Sequence, residues 1–204
     1  MGIATTPAPI ATLVLASTAL LVVATVLAVR ARAASQSFSW IVVAGAAYAV
    51  LGMAAALHVR ESDGVRASVL QLLAVVLAST VAMLCSATPE GEKGSGSRLA
   101  TAGRVLAWLT LVGLPPTVGF HGKVMVYRSL LMAGWGWVAV VAILASAAAL
   151  LPAVRGMGSP EGVEMRGLRA AAALAGIAAI VLLGVYPQLG FAIAKVVASL
   201  AAQG

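Results

Sequence analysis

Long apolar runs alternate with short polar stretches along the whole chain. A run of 18 or more apolar residues is long enough, as a helix, to cross the roughly 30 Å hydrocarbon core of a bilayer. Backbone polar groups in lipid must be paired within a segment, so each run is expected to be helical. The pattern predicts about seven transmembrane helices. The first three runs lie at about 10–29, 38–57 and 67–87, a fourth begins near 105, a fifth ends near 132, a sixth ends near 152, and the last covers 170–185.

The polar stretches between these runs predict loops rather than a second domain. Residues 88–104 contain Pro89, four glycines and several charges, which is typical of a surface loop. Pro187 is expected to end the last helix, and residues 188–204 to form a short amphipathic tail. No Lys or Arg precedes Arg30, so the first run lacks the basic start of a signal peptide and is expected to be retained. The chain is therefore predicted to be one transmembrane domain over residues 1–204.

Composition strengthens this interpretation. The sequence is 62% hydrophobic and 9% charged, with a mean hydropathy of +1.06, whereas soluble domains are about 45–50% apolar and about 25% charged. The predicted fold class is an all-α, polytopic transmembrane helix bundle, whose short loops leave no room for a soluble catalytic domain.

The net charge of +7 does not indicate a nucleic-acid partner. The basic residues stand singly at the ends of apolar runs, where they face lipid headgroups and influence topology, and they form no stripe with interleaved aromatics. With seven helices, Lys and Arg fall almost equally on the two sides, so their count indicates no orientation. His, Cys and acidic residues show no metal-ligand spacing, and no nucleophile stands near a base. We therefore predict no catalytic, metal or cofactor site in this chain.

The most informative segment follows the fourth run. Pro115 and Pro116 remove backbone donors and clash with the preceding helical turn. Gly113, Gly119 and Gly122 permit unusual backbone angles and close packing. The segment predicts a helix broken at membrane depth, and such breaks occur where the backbone is buried in protein or lines a wet cavity.

Three basic residues follow the break and are candidates for proton translocation. A lysine at bilayer depth costs about 2.5–3.5 kcal/mol on insertion scales, so Lys123 is a functional candidate, although it could also lie near an interface and extend to the headgroups. His121 carries a side chain that often transfers protons, with a structural or interfacial role favoured over transfer. Arg128 either faces the same cavity or extends to the interface.

Gln71, Ser79 and Thr80 are polar residues within the third run. They either line a hydrated path or bridge neighbouring helices, and bridging is the favoured interpretation.

The segment Leu109 to Lys123 contains Pro-Pro-x-x-Gly-Phe-x-x-Lys. It resembles the broken-helix motif of the antiporter-like proton-channel subunits of respiratory complex I, the NADH:quinone oxidoreductase, and most of all subunit N. Residues 48–52, 146–157 and 183–188 resemble further family segments in the same order. Together these pieces cover most of the chain but only about the carboxy-terminal half of a family member. Ser35 and Gln36 stand where the family has a central lysine, and Gly45 where it has a histidine.

The resemblance implies a function. It implies that Lys123 is a proton-channel residue and that the chain is a membrane subunit of a proton-translocating NADH:quinone oxidoreductase. NADH, FMN, iron–sulfur clusters and quinone would then belong to partner subunits, with no cofactor and no redox centre in this chain. The implied partners are other membrane subunits and lipid, and the implied location is the bacterial cytoplasmic membrane, crossed many times.

Two alternatives stay open. The chain could be a structural scaffold subunit of such a complex, or a subunit of a related cation/proton antiporter or membrane-bound hydrogenase.

Overall fold

The computed structural model describes residues 6–60, 62–86, 98–158, 167–192 and 196. Within this part of the chain the regular structure is entirely helical, which confirms the predicted all-α bundle. The helices are α1 (Ala8–Arg30), α2 (Ala34–Val59), α3 (Ser62–Ser86), α4 (Arg98–Val112), α5 (Val118–Met132), α6 (Gly136–Ala148), α7 (Leu150–Met157) and α8 (Gly167–Val185).

Five segments in the described residues are long and apolar enough to cross a membrane. They are α1, α2, α3, the continuous pair α6–α7 over Gly136–Met157, and α8. Helices α4 and α5 have 15 residues each and fall short of this length separately. Whether α4 and α5 cross the membrane separately or together depends on the end of the bundle at which each one begins and ends.

One end of the bundle is rich in arginine. The Arg155 guanidinium of α7 donates to the carbonyl of Val29 at 3.2 Å, and Arg169 Nε of α8 donates to the carbonyl of Leu84 at 2.8 Å. The end of α7 and the start of α8 therefore lie beside the ends of α1 and α3. We call this the arginine-rich end.

Helices α2, α3, α5 and α6 meet at the opposite end. Arg128 near the end of α5 lies 3.8 Å from the Asp63 carboxylate at the start of α3. The His58 ring near the end of α2 stacks on Trp135, just before α6, with centroids 5.0 Å apart. We call this the opposite end.

Helices α4 and α5 together make one discontinuous passage. The first turns of α4 lie at the arginine-rich end, where Gly103 packs against Cys85 near the end of α3, and α5 finishes at the opposite end. The sequence prediction of about seven helices counted the two halves separately, because Pro115 and Pro116 divide one passage into two apolar runs. The described residues therefore make six passages, one of which is broken.

The predicted loop over residues 88–104 is wrong in its last part. Helix α4 already begins at Arg98, and Ala100, Gly103 and Arg104 are buried. The first turns of α4 are not strongly apolar in sequence. They still pack into the bundle, because Gly103 allows α4 to approach α3 and α8 closely. Residues 88–97 of that predicted loop lie outside the described residues.

Helix α8 ends where the sequence predicted. Its last residue is Val185, and Pro187 begins a second helical stretch over residues 187–192 after a break at Tyr186. Apart from residue 196, the rest of the predicted tail lies outside the described residues, so its amphipathic character stays a prediction.

Small residues hold the passages close together. Gly52 of α2 and Gly64 of α3 lie against each other so tightly that a Cβ on Gly64 would meet the Gly52 carbonyl oxygen at 2.6 Å. Ser68 donates its hydroxyl to the carbonyls of Ala49 and Gly64, each at 2.8 Å. Helices in lipid associate mainly through close backbone packing and interhelical hydrogen bonds, because the hydrophobic effect does not drive one helix against another there.

Candidate functional site

The broken passage leaves backbone carbonyls without their helical partners. In an uninterrupted helix the carbonyls of Leu111 and Val112 would accept from the N–H groups of residues 115 and 116. Both of those residues are proline and carry no N–H. Gly113 adopts φ 82°, which turns the chain away from the helix direction. The break thus creates acceptors inside the bundle that other donors must satisfy.

Lys123 supplies one of these donors. Its side chain is only 3% exposed, and Nζ donates to the Val112 carbonyl at 2.7 Å and to Ser146 Oγ at 2.9 Å. Ser146 in turn donates to the same Val112 carbonyl at 3.0 Å. The ammonium therefore joins the end of α4, the first half of α5 and the last turn of α6 across the break.

An aromatic ring completes the surroundings of the ammonium. Lys123 Nζ lies 4.7 Å from the centroid of the Tyr48 ring, a cation–π distance. The Tyr48 hydroxyl donates to the Ala142 carbonyl of α6, and its ring meets that of Tyr127 edge-on at 6.1 Å. Within the described part of the chain, no carboxylate pairs with Lys123. Neutral dipoles and an aromatic face therefore surround this charge.

A cavity of about 250 Å³ lies against this group. Lys123, Ser146 and Tyr127 give it a polar wall, and Phe120, Val124, Ile143 and Leu150 are among its apolar residues. Val124, Ile143 and Leu150 are exposed on the outside of the bundle. A space of this size with polar partners has room for water molecules beside the ammonium.

His121 lies elsewhere. Its Nε2 is 2.7 Å from the Gly184 carbonyl of α8, and its ring rests edge-on against Phe120. Residues two positions apart in a helix do not share a face, so His121 and Lys123 point to different neighbours. The structure places His121 as a link between α5 and α8.

Arg128 is also separate from the cavity. Its side chain is 67% exposed and lies 3.8 Å from Asp63, which also pairs with Arg66 at 3.3 Å. It sits at the opposite end of the bundle, five residues beyond Lys123. The three predicted proton-translocation residues are therefore not brought together in one site, and the role of each stays a prediction.

The predicted glycines of the break have defined tasks. A Cβ on Gly119 would overlap the Thr110 carbonyl, and a Cβ on Gly122 would meet Gln71 Oε1 at 2.8 Å. These contacts let the two halves of the broken passage overlap and bring α5 against α3. Of the predicted break residues, Gly113, Pro115 and Pro116 lie between Val112 and Val118, whereas Gly119 and Gly122 lie within α5.

Gln71 is a second buried polar group, and it does not bridge helices as the sequence suggested. Its side chain is fully buried, and neither amide atom has a hydrogen-bond partner in the described residues. It packs between Gly45 of α2 and Gly122 of α5. An amide left unpaired in a core is rare and marks either a water site or a functional position.

Ser146 is a site residue that sequence reasoning missed. It is one serine in an otherwise alanine-rich and valine-rich helix, and serine is common in membrane helices. Its contact with Lys123 spans 23 residues, which no local pattern reveals. The described residues contain no group of three or more His, Cys, Asp or Glu that could hold a metal ion.

Comparison with known sequences shows a partial match to one kind of subunit. The chain is 30% identical over 151 residues to NADH-quinone oxidoreductase subunit N of Chlorobium chlorochromatii, covering 68% of this chain and 29% of that protein. It is 29% identical over 190 residues to subunit N of Salinispora arenicola, covering 82% and 36%. It is 33% identical over 107 residues to F(420)H(2) dehydrogenase subunit N of Methanosarcina mazei, covering 47% and 22%. The chain thus spans about a third of the length of the curated relatives, and no protein-family model matches it.

Solved structures agree on the fold. The chain resembles one in the Mrp complex from a Dietzia species, with a TM-score of 0.75 and 20% identity, over 91% of this chain and 46% of that one. It resembles one in respiratory complex I from Thermus thermophilus with bound Aureothin, with a TM-score of 0.66 and 25% identity, over 88% and 44%. The resemblance to subunit N inferred from the sequence is thereby confirmed.

Proposed function

We propose that this chain, a relative of subunit N of the NADH-quinone oxidoreductases, is a membrane subunit of a proton-translocating NADH:quinone oxidoreductase and contributes part of its proton channel. The observation that carries the proposal is the Lys123 ammonium, buried against a 250 Å³ cavity and held by the acceptors of the helix break. The named relatives support the same conclusion. NADH, FMN, iron–sulfur clusters and quinone would be bound by partner subunits.

The geometry suggests how Lys123 changes its protonation. In the charged state the ammonium donates to the Val112 carbonyl and to Ser146 Oγ. When a proton leaves to water in the cavity, the neutral amine becomes an acceptor, and the Ser146 hydroxyl can turn from the Val112 carbonyl to donate to it. Both states then keep hydrogen bonds, so the site can load and release a proton without rearranging the backbone.

One lysine cannot carry a proton across a bilayer, because transfer needs a chain of ionisable groups or ordered water. Asp63 is the one acidic residue in the described part of the chain, and it lies at the opposite end in ion pairs with arginine. The remaining steps are therefore assigned to neighbouring membrane subunits. The multi-pass membrane location is proposed to be a bacterial cytoplasmic membrane.

The test is proton pumping by the assembled complex. Lys123→Met is expected to lower NADH-driven acidification of inverted vesicles severalfold while the chain still co-purifies with its partners. Arg32→Gln is the control, because it removes an exposed basic residue that does not line the cavity, and it should leave pumping near the wild-type rate. Pumping that is unchanged in Lys123→Met would remove the channel role.

A subunit of a cation/proton antiporter is the second candidate, favoured by the structural similarity to a chain of the Mrp complex. Affinity purification in mild detergent followed by mass spectrometry distinguishes the two. Recovery with quinone-reductase subunits and iron–sulfur proteins supports the oxidoreductase. Recovery with antiporter subunits alone supports the antiporter. A scaffold role would appear as lost assembly on deletion with normal pumping in Lys123→Met.

A further inference from the structure

A second cavity, of about 220 Å³, lies at the arginine-rich end and takes no part in the Lys123 site. Four helices line it. Ser35 and Ser39 lie four residues apart near the start of α2, and Arg104 and Trp108 lie four apart on α4, so each pair shares one helix face. Ser86, the last residue of α3, and Gly156 of α7 close the remaining sides.

The lining of this cavity is divided between polar and apolar groups. Ser35 and Ser86 contribute hydroxyls from helix ends, and Arg104 of α4 contributes a guanidinium. Phe38, Met83 and Trp108 are its large apolar lining residues. The Phe38 ring meets the Trp108 indole edge-on at 5.1 Å, which makes a rigid aromatic floor. Met83 is 73% exposed on the outer face of α3, so this side of the cavity is open toward lipid.

The electrostatic surroundings favour an anion. Arg104 is only 8% exposed, and a guanidinium presents five N–H donors in a fork that matches phosphate geometry. Arg30, Arg32, Arg155 and Arg169 lie at the same end of the bundle. Basic pockets between membrane helices are a known kind of site for anionic lipid headgroups.

We propose that this cavity binds the headgroup of one anionic phospholipid, with the phosphate on Arg104 and the serine hydroxyls and the glycerol and upper acyl chain against Phe38, Met83 and Trp108. This site is independent of proton transfer at Lys123. A lipid is favoured over free phosphate because the polar groups continue into an apolar, laterally open surface that a soluble anion would leave unused.

The test is native mass spectrometry of the purified full chain with its co-purifying subunits, after exchange into detergent containing phosphatidylglycerol or phosphatidylcholine. We expect one phosphatidylglycerol to be retained, with an apparent Kd at least about tenfold below that of phosphatidylcholine, or about 1.4 kcal/mol. Arg104→Gln and Ser35→Glu should each abolish this preference. Ser35 is exposed at the rim, so Ser35→Glu tests the site without disturbing the core.

Arg32→Gln is the control, because it makes the same change in net charge as Ser35→Glu at an exposed position of the same end that does not line the cavity. It should keep the preference for phosphatidylglycerol. Equal loss in Arg32→Gln would show diffuse attraction to the arginine-rich end and overturn the site. Displacement of the lipid by millimolar inorganic phosphate would make it a general anion site and overturn the lipid assignment.

Discussion

At the scale of single residues, the Lys123 side chain replaces a backbone hydrogen-bond donor that the helix break removes. The Val112 carbonyl would be bonded by the N–H of residue 116 in a continuous helix, but that residue is proline. The lysine ammonium and the Ser146 hydroxyl both donate to it instead. In Lys123→Met the serine still satisfies the carbonyl, which is why we expect assembly to survive the loss of the charge.

We predict that the buried Gln71 amide lowers the stability of the chain and contributes to proton pumping. A buried amide without partners costs about 1–3 kcal/mol, and both its polar atoms are unpaired in the described residues. Gln71→Leu should therefore keep or raise the thermal unfolding midpoint of the detergent-solubilised chain. The Gln71 amide is a polar group inside the bundle, in contact with Gly122, which precedes Lys123 in the chain. Gln71→Leu should therefore lower proton pumping.

Thr80→Val provides the comparison for Gln71→Leu. Thr80 lies on the same helix but is exposed on the outside of the bundle, so its hydroxyl is not expected to contribute to transport. A normal pumping rate in both variants, measured in inverted vesicles, would show that Gln71 is only a packing residue.

At the scale of helices, the overlap of α4 and α5 depends on Gly119. Its Cα lies directly beside the Thr110 carbonyl, and a methyl group there would force the two half-helices apart. Gly119→Ala is expected to destabilise the chain by about 1–3 kcal/mol or more, as overpacking does, and to displace Val112 from Lys123. Thermal unfolding in detergent measures the first effect, and loss of pumping measures the second.

Gly136→Ala is the control for this prediction. Gly136 begins α6, and a Cβ there would find its nearest neighbour, Leu131, at a comfortable 3.9 Å. This variant should be as stable as the wild type. Equal behaviour of the two alanine variants would contradict the close approach of α4 and α5.

The break and its lysine could be predicted from the sequence, whereas the partners of the lysine could not. Pro115 and Pro116 act locally, so their effect on the helix follows from the covalent structure of proline. Ser146 reaches Lys123 only through the packing of α6 against α5. The separation of His121 and Arg128 from Lys123 could also be predicted from the sequence, because residues two or five positions apart do not lie on the same face of a helix.

At the scale of the whole molecule, counting α4 and α5 as one passage changes the charge distribution. With seven separate helices, basic residues fall almost equally on the two sides. With six passages the described arginines divide unevenly. The arginine-rich end has Arg30, Arg32, Arg98, Arg104, Arg155 and Arg169, and the opposite end has Arg60, Arg66 and Arg128.

This asymmetry predicts the orientation of the chain, because Lys and Arg in short loops are retained on the cytoplasmic side. The arginine-rich end should face the cytoplasm. Single cysteines in a Cys85→Ser background test this, since Cys85 is the one cysteine of the sequence. Ala33→Cys, an exposed position at the arginine-rich end, should react with a membrane-impermeant maleimide in inverted vesicles only.

Two further cysteines separate orientation from passage number. Ser62→Cys, exposed at the start of α3, should react only in right-side-out vesicles. Met132→Cys, exposed at the end of α5, should follow Ser62→Cys if α4 and α5 form one passage, and Ala33→Cys if each crosses the membrane. Reaction of all three after detergent treatment confirms that each thiol is accessible. Labelling of Ala33→Cys in right-side-out vesicles would contradict the predicted orientation. The number of passages is tested separately, because it depends only on whether Met132→Cys is labelled together with Ser62→Cys or with Ala33→Cys.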